Sequence, residues 1–553
     1  MPTTTRTTVN HQKGEASAAK PAGAFPLFAS FFRRPALLLG LLALGALGFG
    51  YAIAVPAVNM DDLALASYYD NGEFLRQDRF TLWLLERFTG IMEYQAHWPE
   101  LFAAISLALA GLLLAAVLYA VLGQKKPGTP AVLLLAGGLL VWPYHVELLV
   151  YSTQCGMGLD FLLCALALAL SYRFILAGKA PWGALLGSVC IALALGCYQS
   201  FAVVWLVLVC VLLLTAAVAA PADSVNFKAN ALRLVRGAAP LLAGLVWRAL
   251  ASAALRGLMG VTGENTTTST TIFWFQRGSL RDALLIPLRE WIDNYLALPF
   301  GVPALALLLL AEAALVVYAF RRRKQVKNGF CFWVLALLLA QYTLGILQGT
   351  GSQMARTVQC FAVFVPFVAW LLLRDCLPRE LAGLKSAKSI AATAVAAVLL
   401  VVEVLALADA FRFDRDRWQY EKMTLQTIGS ELDALDPGGT LPVVFTGELG
   451  TLPPELEARA ALGPNNPAYK VTYLVSALLG GAQGTLYRYE NPNILVIDWA
   501  QTAFGSHAQM YLLMEYTGRA CVAPTPEQQA AADALEGVEP GVSARDGYLL
   551  VHL

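Results

Sequence analysis

Two adjacent carboxylates, Asp61 and Asp62, follow directly on a long apolar segment and open a polar, aromatic stretch that runs to about residue 98. A charge beside hydrocarbon must stay hydrated or find a partner, so such a pair is costly unless it has work to do. Beyond it come Tyr68, Tyr69, Asp70, Asn71, Arg76, Asp78 and Arg79. An amphipathic pattern follows, formed by Phe80, Leu82, Trp83, Leu84, Leu85, Phe88 and Ile91 with Glu86 and Arg87, and it suits a helix lying in a membrane interface. Neighbouring Asp residues on a helix point about 100° apart, so one can face a cleft while the other caps or orients. A carboxylate at a lipid–water boundary serves as a general base when it reaches an acceptor hydroxyl. The plainer alternative is that Asp61 or Asp62 only N-caps the next helix. The whole set, with Arg76 and Arg79 beside it, favours chemistry over capping.

Two further groups could support such chemistry. Residues 348–356 form a short polar loop, Gln-Gly-Thr-Gly-Ser-Gln-Met-Ala-Arg, between two apolar runs. Its glycines let backbone N–H groups turn toward an anion, and Arg356 offers a fork of donors suited to phosphate; Gln353 would line the same cavity. The alternative is a simple turn with a snorkelling Arg. His145, Glu147, Tyr151, Gln154, Tyr198 and Gln199 gather at helix ends on the same expected side. Ionisable groups at such depth usually face a cavity or a partner. Glu147, Tyr151, Tyr198 and Gln199 are candidate cavity-lining residues, whereas a lone His145 is more often structural. Arg248, well inside an apolar run, binds a lipid phosphate or pairs with an acid in the bundle.

The scaffold is legible from composition. Of 553 residues, 58% are hydrophobic and 14% charged, against roughly a quarter charged in soluble domains. Apolar runs lie at 35–57, 99–122, 131–149, 158–177, 183–198, 201–219, 238–256, 298–320, 330–348, 357–373 and 389–408. The expected fold is therefore a polytopic α-helical membrane protein of about eleven transmembrane helices. Lys and Arg in the loops fall on one side if the N-terminus is cytoplasmic. They include Arg33, Arg34, Lys125, Lys126, Arg173, Lys179, Arg236, residues 321–324, Arg374 and Arg379. Asp61, Asp62 and Arg356 are then extracytoplasmic. Residues 1–34 read as a disordered cytoplasmic tail without a signal-peptide cleavage site. Residues 35–408 read as the transmembrane part, with an external loop at 59–98.

From residue 409 onward, charge, Pro and Gly increase. Apolar β-type runs occur at 441–445, 494–499 and 548–553, and helical patterns at 415–435, 469–479, 507–516 and 526–535. Residues 409–553 read as a small extracytoplasmic α/β domain that acts as a lid or acceptor-docking module. The nine cysteines are scattered, mostly in apolar runs, with no metal-ligand spacing. Net charge of +1 gives no case for nucleic acid, and no phosphate loop points to ATP-driven transport.

The external Asp-Asp pair, the Tyr-rich loop carrying Arg79, the Cys197-Tyr198-Gln199-Ser200 break and the Gly-Ser loop ending in Ala355-Arg356 resemble the Gtr-type (type II) glucosyltransferases. These belong to the C-type (GT-C) superfamily of polytopic glycosyltransferases. The resemblance implies a bacterial cytoplasmic membrane enzyme. It would move a sugar, glucose first, from an undecaprenyl-phosphate donor to a cell-envelope glycan with inversion. It also implies Asp61 as base with Asp62 in support, Arg79 and Arg356 on the donor phosphate, and Tyr198 and Gln199 lining the cavity. Arg248 is a further phosphate candidate. No cofactor is required; a divalent metal, Mg or Mn, could sit on the acidic loop in some relatives. The partners implied are donor, acceptor, bilayer, and a lipid-linked sugar flippase and synthase. Alternatives are a lipid-linked sugar flippase, a non-catalytic envelope assembly protein, or a transferase of another sugar.

Overall fold

The computed structural model describes residues 23–63, 72–91, 97–219, 227–263, 302–322, 330–343, 358–380, 386–460, 470, 495–502 and 508–553. Each expected apolar segment contains a helix. Among the described residues, seven helices are long and apolar enough to cross a membrane: Pro35–Ala54, Trp98–Val121, Thr129–Leu149, Ser152–Ala177, Phe201–Ala219, Lys228–Met259 and Ala387–Leu435. Pro181–Leu195, Phe330–Ala340 and Phe361–Leu373 are shorter apolar helices, and Val302–Arg322 ends on two arginines. These helices mark the chain as a membrane protein. Prolines at 35, 99, 130 and 181 sit in first turns, where the missing N–H had no intrahelical partner to lose.

Small residues bring the helices together. A Cβ on Gly111 would lie 2.7 Å from the Ala136 Cα, and one on Gly158 would lie 2.6 Å from the Ala103 carbonyl oxygen. Such close backbone approach favours helix association where lipid removes the hydrophobic drive. Large apolar side chains such as Leu39, Leu42 and Leu47 point outward. The segment expected as a tail to residue 34 carries a short helix, Ala24–Phe31, whose Ala24, Leu27 and Phe31 are buried.

The third apolar run is broken. Its helix Thr129–Leu140 stops before Pro143 and gives way to the 3-10 turn Pro143–His145, the short helix Val146–Leu149 and the 3-10 turn Ser152–Gln154. A proline disfavours helix at the residue before it, which explains the break. The broken stretch is buried in the bundle and faces the segment after Ala54.

Residues 387–435 form one 49-residue helix, about 70 Å long. The expected helix at 415–435 therefore has no start of its own after Asp414. No Gly or Pro interrupts 409–418, so the change from apolar to charged sequence marks a change of surroundings, not a helix end.

Beyond it, the described residues form a three-stranded sheet in the order β1 (Val443–Thr446), β3 (Tyr548–His552), β2 (Gly541–Arg545). β1 pairs with β3 in parallel, Val443 opposite Leu549, and β2 pairs with β3 antiparallel, Arg545 opposite Tyr548. Helices Ala508–Tyr516 and Pro526–Asp533 fall where expected, the second with a Thr525/Gln528 capping box. The run at 494–499, expected as a strand, is instead a helix, Val496–Thr502. A short apolar run fits strand or buried helix equally. Here Glu421 decides, because its Oε1 accepts the Ile497 N–H at 2.9 Å and satisfies the helix start. The helix expected at 469–479 lies, apart from Lys470, outside the described residues.

Two cores meet at the Asp-Asp segment. One fills the bundle. The other joins Val58 and Leu63 to Trp418, Leu425 and Leu432 of the long helix and to Val443, Phe445, Leu549 and Val551 of the sheet.

Candidate active site

Asn59 to Leu63 form a single helical turn after the Pro35–Ala54 helix. Asp62 is buried, and its two oxygens take three donors. The Ser152 N–H at 2.7 Å and hydroxyl at 2.6 Å donate to Oδ1. The Asn59 N–H donates to Oδ2 at 3.0 Å. Asp62 thus closes its own turn and ties it to the broken stretch of the bundle. Burial pushes its carboxyl up to about 7, against the pull of the Ser152 and Asn59 donors and with a smaller push from the Asp61 charge. Asp61 is only partly buried.

Asn59 anchors the same turn. Its Nδ2 donates to the Val150 carbonyl at 2.8 Å, and its Oδ1 accepts from Arg417 Nη2 at 2.7 Å. Arg417 also donates to Asp414 Oδ1 at 3.0 Å and pairs with Glu421. Beside it, Arg415 donates to the carbonyls of Ala52 at 3.2 Å and Val55 at 3.0 Å, and pairs with Glu100 at 2.7 Å and with Asp414. Asp414, Arg415, Arg417 and Glu421 are each fully buried. The arrangement is physically coherent. Arg415 fills the orphan carbonyls at the end of the first spanning helix, where a cation is also favoured by the helix dipole. The charges then neutralise one another in pairs, as buried ions must.

A second cluster holds Arg79. The turn Gln77-Asp78-Arg79 is pinned from both sides. Gln199 Nε2 donates to the Gln77 carbonyl at 2.8 Å. Asp78, with φ 57°, accepts from Arg248 at 3.2 Å and from the Ser252 hydroxyl at 2.5 Å. The Arg79 guanidinium lies over the Tyr198 ring, 5.2 Å from its centre. Arg248 is thus engaged with an acid of the loop at 59–98. Gln199 is likewise a positioning contact for the turn.

The amphipathic helix Phe80–Thr89 follows. Of the residues in its pattern, Leu82, Trp83 and Glu86 are buried together with Thr81, while Phe88 is 80% exposed. The helix start docks on the end of Pro181–Leu195, where the Thr81 N–H donates to the Gly196 carbonyl at 3.0 Å and its hydroxyl to the Leu193 carbonyl at 2.7 Å. Satisfying those chain ends turns the helix away from a purely apolar contact.

Residues 152–156 link the two clusters. Ser152 holds Asp62, while Cys155 packs with Phe80, Leu82, Trp83 and Cys197 and lies within electrostatic reach of Asp62, Glu86 and Glu100. Asp61, Asp62, Arg79, Tyr198 and Gln199 therefore belong to one end of the bundle. Glu147 and Tyr151 are buried within the same broken stretch. His145 is structural in its contacts, with its ring nitrogens facing the Leu139 carbonyl at 2.7 Å and Gln359 at 3.1 Å. Gln353 and Arg356 lie outside the described residues.

Sequence reading missed Asp160, whose buried carboxyl faces the Cys197 thiol, and the charges at 414–421. The second group had a signal. Asp414, Arg417 and Glu421 fall three and four residues apart on one helix face among Phe411, Phe413 and Trp418, a pattern of paired, buried charge.

Among the described residues, no three His, Cys, Asp or Glu side chains are placed to hold a metal ion. Asp62 is committed to N–H and O–H donors.

Residues 50–373 match the model of the family described as Glucosyl transferase GtrII. No curated protein and no solved structure matches the chain. The match starts just ahead of the Asp-Asp turn and takes in every candidate residue from Asp61 to Arg356, while the Arg415–Glu421 clamp lies beyond it. With more than half its length matched, this membrane chain belongs to the GtrII glucosyl transferase family and is a glycosyltransferase.

Proposed function

We propose that the enzyme transfers glucose from undecaprenyl-phosphate-glucose to a cell-envelope glycan at the outer face of the bacterial cytoplasmic membrane, inverting the anomeric centre. Asp61 is the general base. The acceptor hydroxyl gives its proton to Asp61 while its oxygen attacks the sugar C1 from the face opposite the phosphate. The C1–O bond to phosphate breaks, and its electron pair leaves with undecaprenyl phosphate. Arg79, with Arg356 from its polar loop, offsets the negative charge that grows on the leaving phosphate. Tyr198 holds the Arg79 plane by stacking, which presents the guanidinium fork in one orientation.

One observation carries this reading. Asp62 is locked by three donors, and that lock fixes the backbone of its neighbour Asp61, which is only partly buried. A positioned carboxylate at the junction of bundle and sheet is what a single-displacement reaction needs. The C-terminal sheet packs against this turn, which supports a role for the C-terminal segment in receiving the acceptor.

The test is donor turnover in liposomes. Wild type should consume undecaprenyl-phosphate-glucose with acceptor present, and Asp61→Asn should lose on the order of 10²–10⁴-fold in rate with unchanged thermal stability. Undiminished turnover in a folded Asp61→Asn variant would move the base elsewhere. Movement of the intact lipid-linked sugar across the bilayer, with no transfer, would replace the reaction by transport.

A further inference from the structure

The opposite end of the bundle carries a second built feature. Two adjoining cavities, of about 950 and 650 Å³, share Lys125, Lys126, Leu377 and Arg379 in their walls. The first lies between the starts of the Pro35–Ala54, Thr129–Leu140 and Ala387–Leu435 helices. Leu133, Leu377, Ala396, Ala397 and Leu400 give it an apolar floor, with Arg33 and Arg34 at its rim. The second is the polar one and adds Tyr119, Gln124 and Arg374. Six cations (Arg33, Arg34, Lys125, Lys126, Arg374 and Arg379) thus stand against two carboxylates, Asp375 and Glu380.

The walls are fixed. The Thr129 N–H donates to the Arg379 carbonyl at 3.0 Å, and a Cβ on Gly128 would lie 2.8 Å from the Pro378 carbonyl oxygen, so the two loops are in direct contact. Arg34 donates to the Pro127 carbonyl at 2.7 Å. Arg374 is the telling residue. Its side chain is 7% exposed, and its guanidinium lies 4.9 Å from the centre of the Trp370 ring. Among the described residues, its nearest carboxylate, Asp375, stands 3.7 Å away, and neither Nε nor Nη1 has a hydrogen-bond partner. A buried guanidinium with open donors, set in a polar cleft that continues into an apolar groove, describes a site for a molecule with an anionic head and a hydrocarbon tail.

We propose that this cleft binds one anionic phospholipid. Its phosphate lies against Lys125, Lys126, Arg374 and Arg379, and an acyl chain lies along Leu133, Leu377 and Leu400. The inference does not rest on the sugar-transfer reading, which concerns the other end of the molecule. It also differs from the general excess of cations on one side of a membrane protein, because it requires a particular cavity.

Native mass spectrometry of the full chain, released from detergent with added phosphatidylglycerol or phosphatidylcholine, tests it. Wild type should retain one phosphatidylglycerol in preference to phosphatidylcholine. The exposed pair Lys125→Gln/Lys126→Gln should lower that retention roughly tenfold to thirtyfold, and Arg374→Gln should do the same. Arg321→Gln/Arg322→Gln, at the end of another helix, should leave it unchanged. Equal retention in the Lys125/Lys126 variant, or equal loss in the Arg321/Arg322 variant, would reduce the effect to diffuse charge and overturn the site. Thermal stability separates head from tail. Phosphatidylglycerol should raise the melting temperature of wild type but not of Lys125→Gln/Lys126→Gln. An equal rise from inorganic phosphate would assign the cleft to a free anion instead.

Discussion

Asp62 offers the sharpest test of how the Asp-Asp turn is held. Asp62→Ala removes the acceptor of the Ser152 N–H, the Ser152 hydroxyl and the Asn59 N–H. The hydroxyl can rotate to another partner, but the two backbone donors cannot. At about 1–3 kcal/mol for each buried donor left unmet, the loss is about 2–6 kcal/mol. Asp62→Asn keeps an oxygen for Ser152 and turns an amide N–H₂ toward the Asn59 N–H, so it should lose only about 1–3 kcal/mol. The two variants also differ from wild type in pH dependence. The Asp62 carboxyl, raised from 3.8 to about 7, stays protonated in the folded protein at pH values where the unfolded chain has released its proton. Its contribution to stability is therefore complete below about pH 3.8, declines as pH rises, and is gone above about pH 7. A shift of that size corresponds to about 4 kcal/mol over the window. Thermal unfolding in detergent should be followed for wild type and Asp62→Asn from about pH 5 to pH 8. Wild type should lose ground relative to Asp62→Asn as pH rises. A difference that stays constant across this range, or an Asp62→Ala protein as stable as wild type, would refute the burial argument.

Three other substitutions probe separate links. Arg417→Met leaves Asp414 and Glu421 buried with one cation fewer, and should cost about 3–5 kcal/mol in unfolding; adding Glu421→Leu should recover part of it, read as melting temperature. If Arg79 binds the donor phosphate as proposed, Arg79→Ala removes a charged contact of about 1.5–3 kcal/mol and should raise the donor KM about tenfold or more. Arg79→Lys should restore it only in part, because the ammonium cannot reproduce the planar fork stacked on Tyr198. Gly111→Val drives a side chain into the Ala136 backbone and should destabilise by about 1–3 kcal/mol with no specific effect on KM.

The membrane scaffold was legible because hydrocarbon imposes a simple rule on sequence: each span needs a long apolar run, and the runs are present. The positions of Asp61 and Asp62 could be read for the same reason, since a charge pair at a span end stands out. The burial of Asp62 and the partial exposure of Asp61 could not, because Asp62 is held by Ser152, ninety residues away, which carries no signal as an isolated serine. The long helix was cut short in reading because composition changes at 409 while helix propensity does not. The strand expected at 494–499 failed on a contact with Glu421, again distant in sequence. β2 was overlooked, although Asp546-Gly547 marks its hairpin; Gly547 takes φ 81° there and closes the two-residue link between Arg545 and Tyr548.

The first and last spanning helices bind these features into one frame. Pro35–Ala54 and Ala387–Leu435 pack along each other, Phe49 against Phe411 with ring centres 5.5 Å apart. At Gly48 an added Cβ would lie 3.2 Å from Leu407, so the pair is closely packed there as well. At one end Pro35, Ala36, Thr393 and Ala396 frame the cationic cleft. At the other, Arg415 and Arg417 reach from the long helix to the carbonyls of Ala52, Val55 and Val58 and to Asn59, and so set where the Asp-Asp turn begins. The Asp-Asp turn lies in the part of the chain that the family shares, and it is held both from within that part, by Val150 and Ser152, and from outside it, by Arg415 and Arg417. Packed interfaces resist continuous deformation. The placement of Asp61 thus depends on the register of these two helices as much as on its own loop.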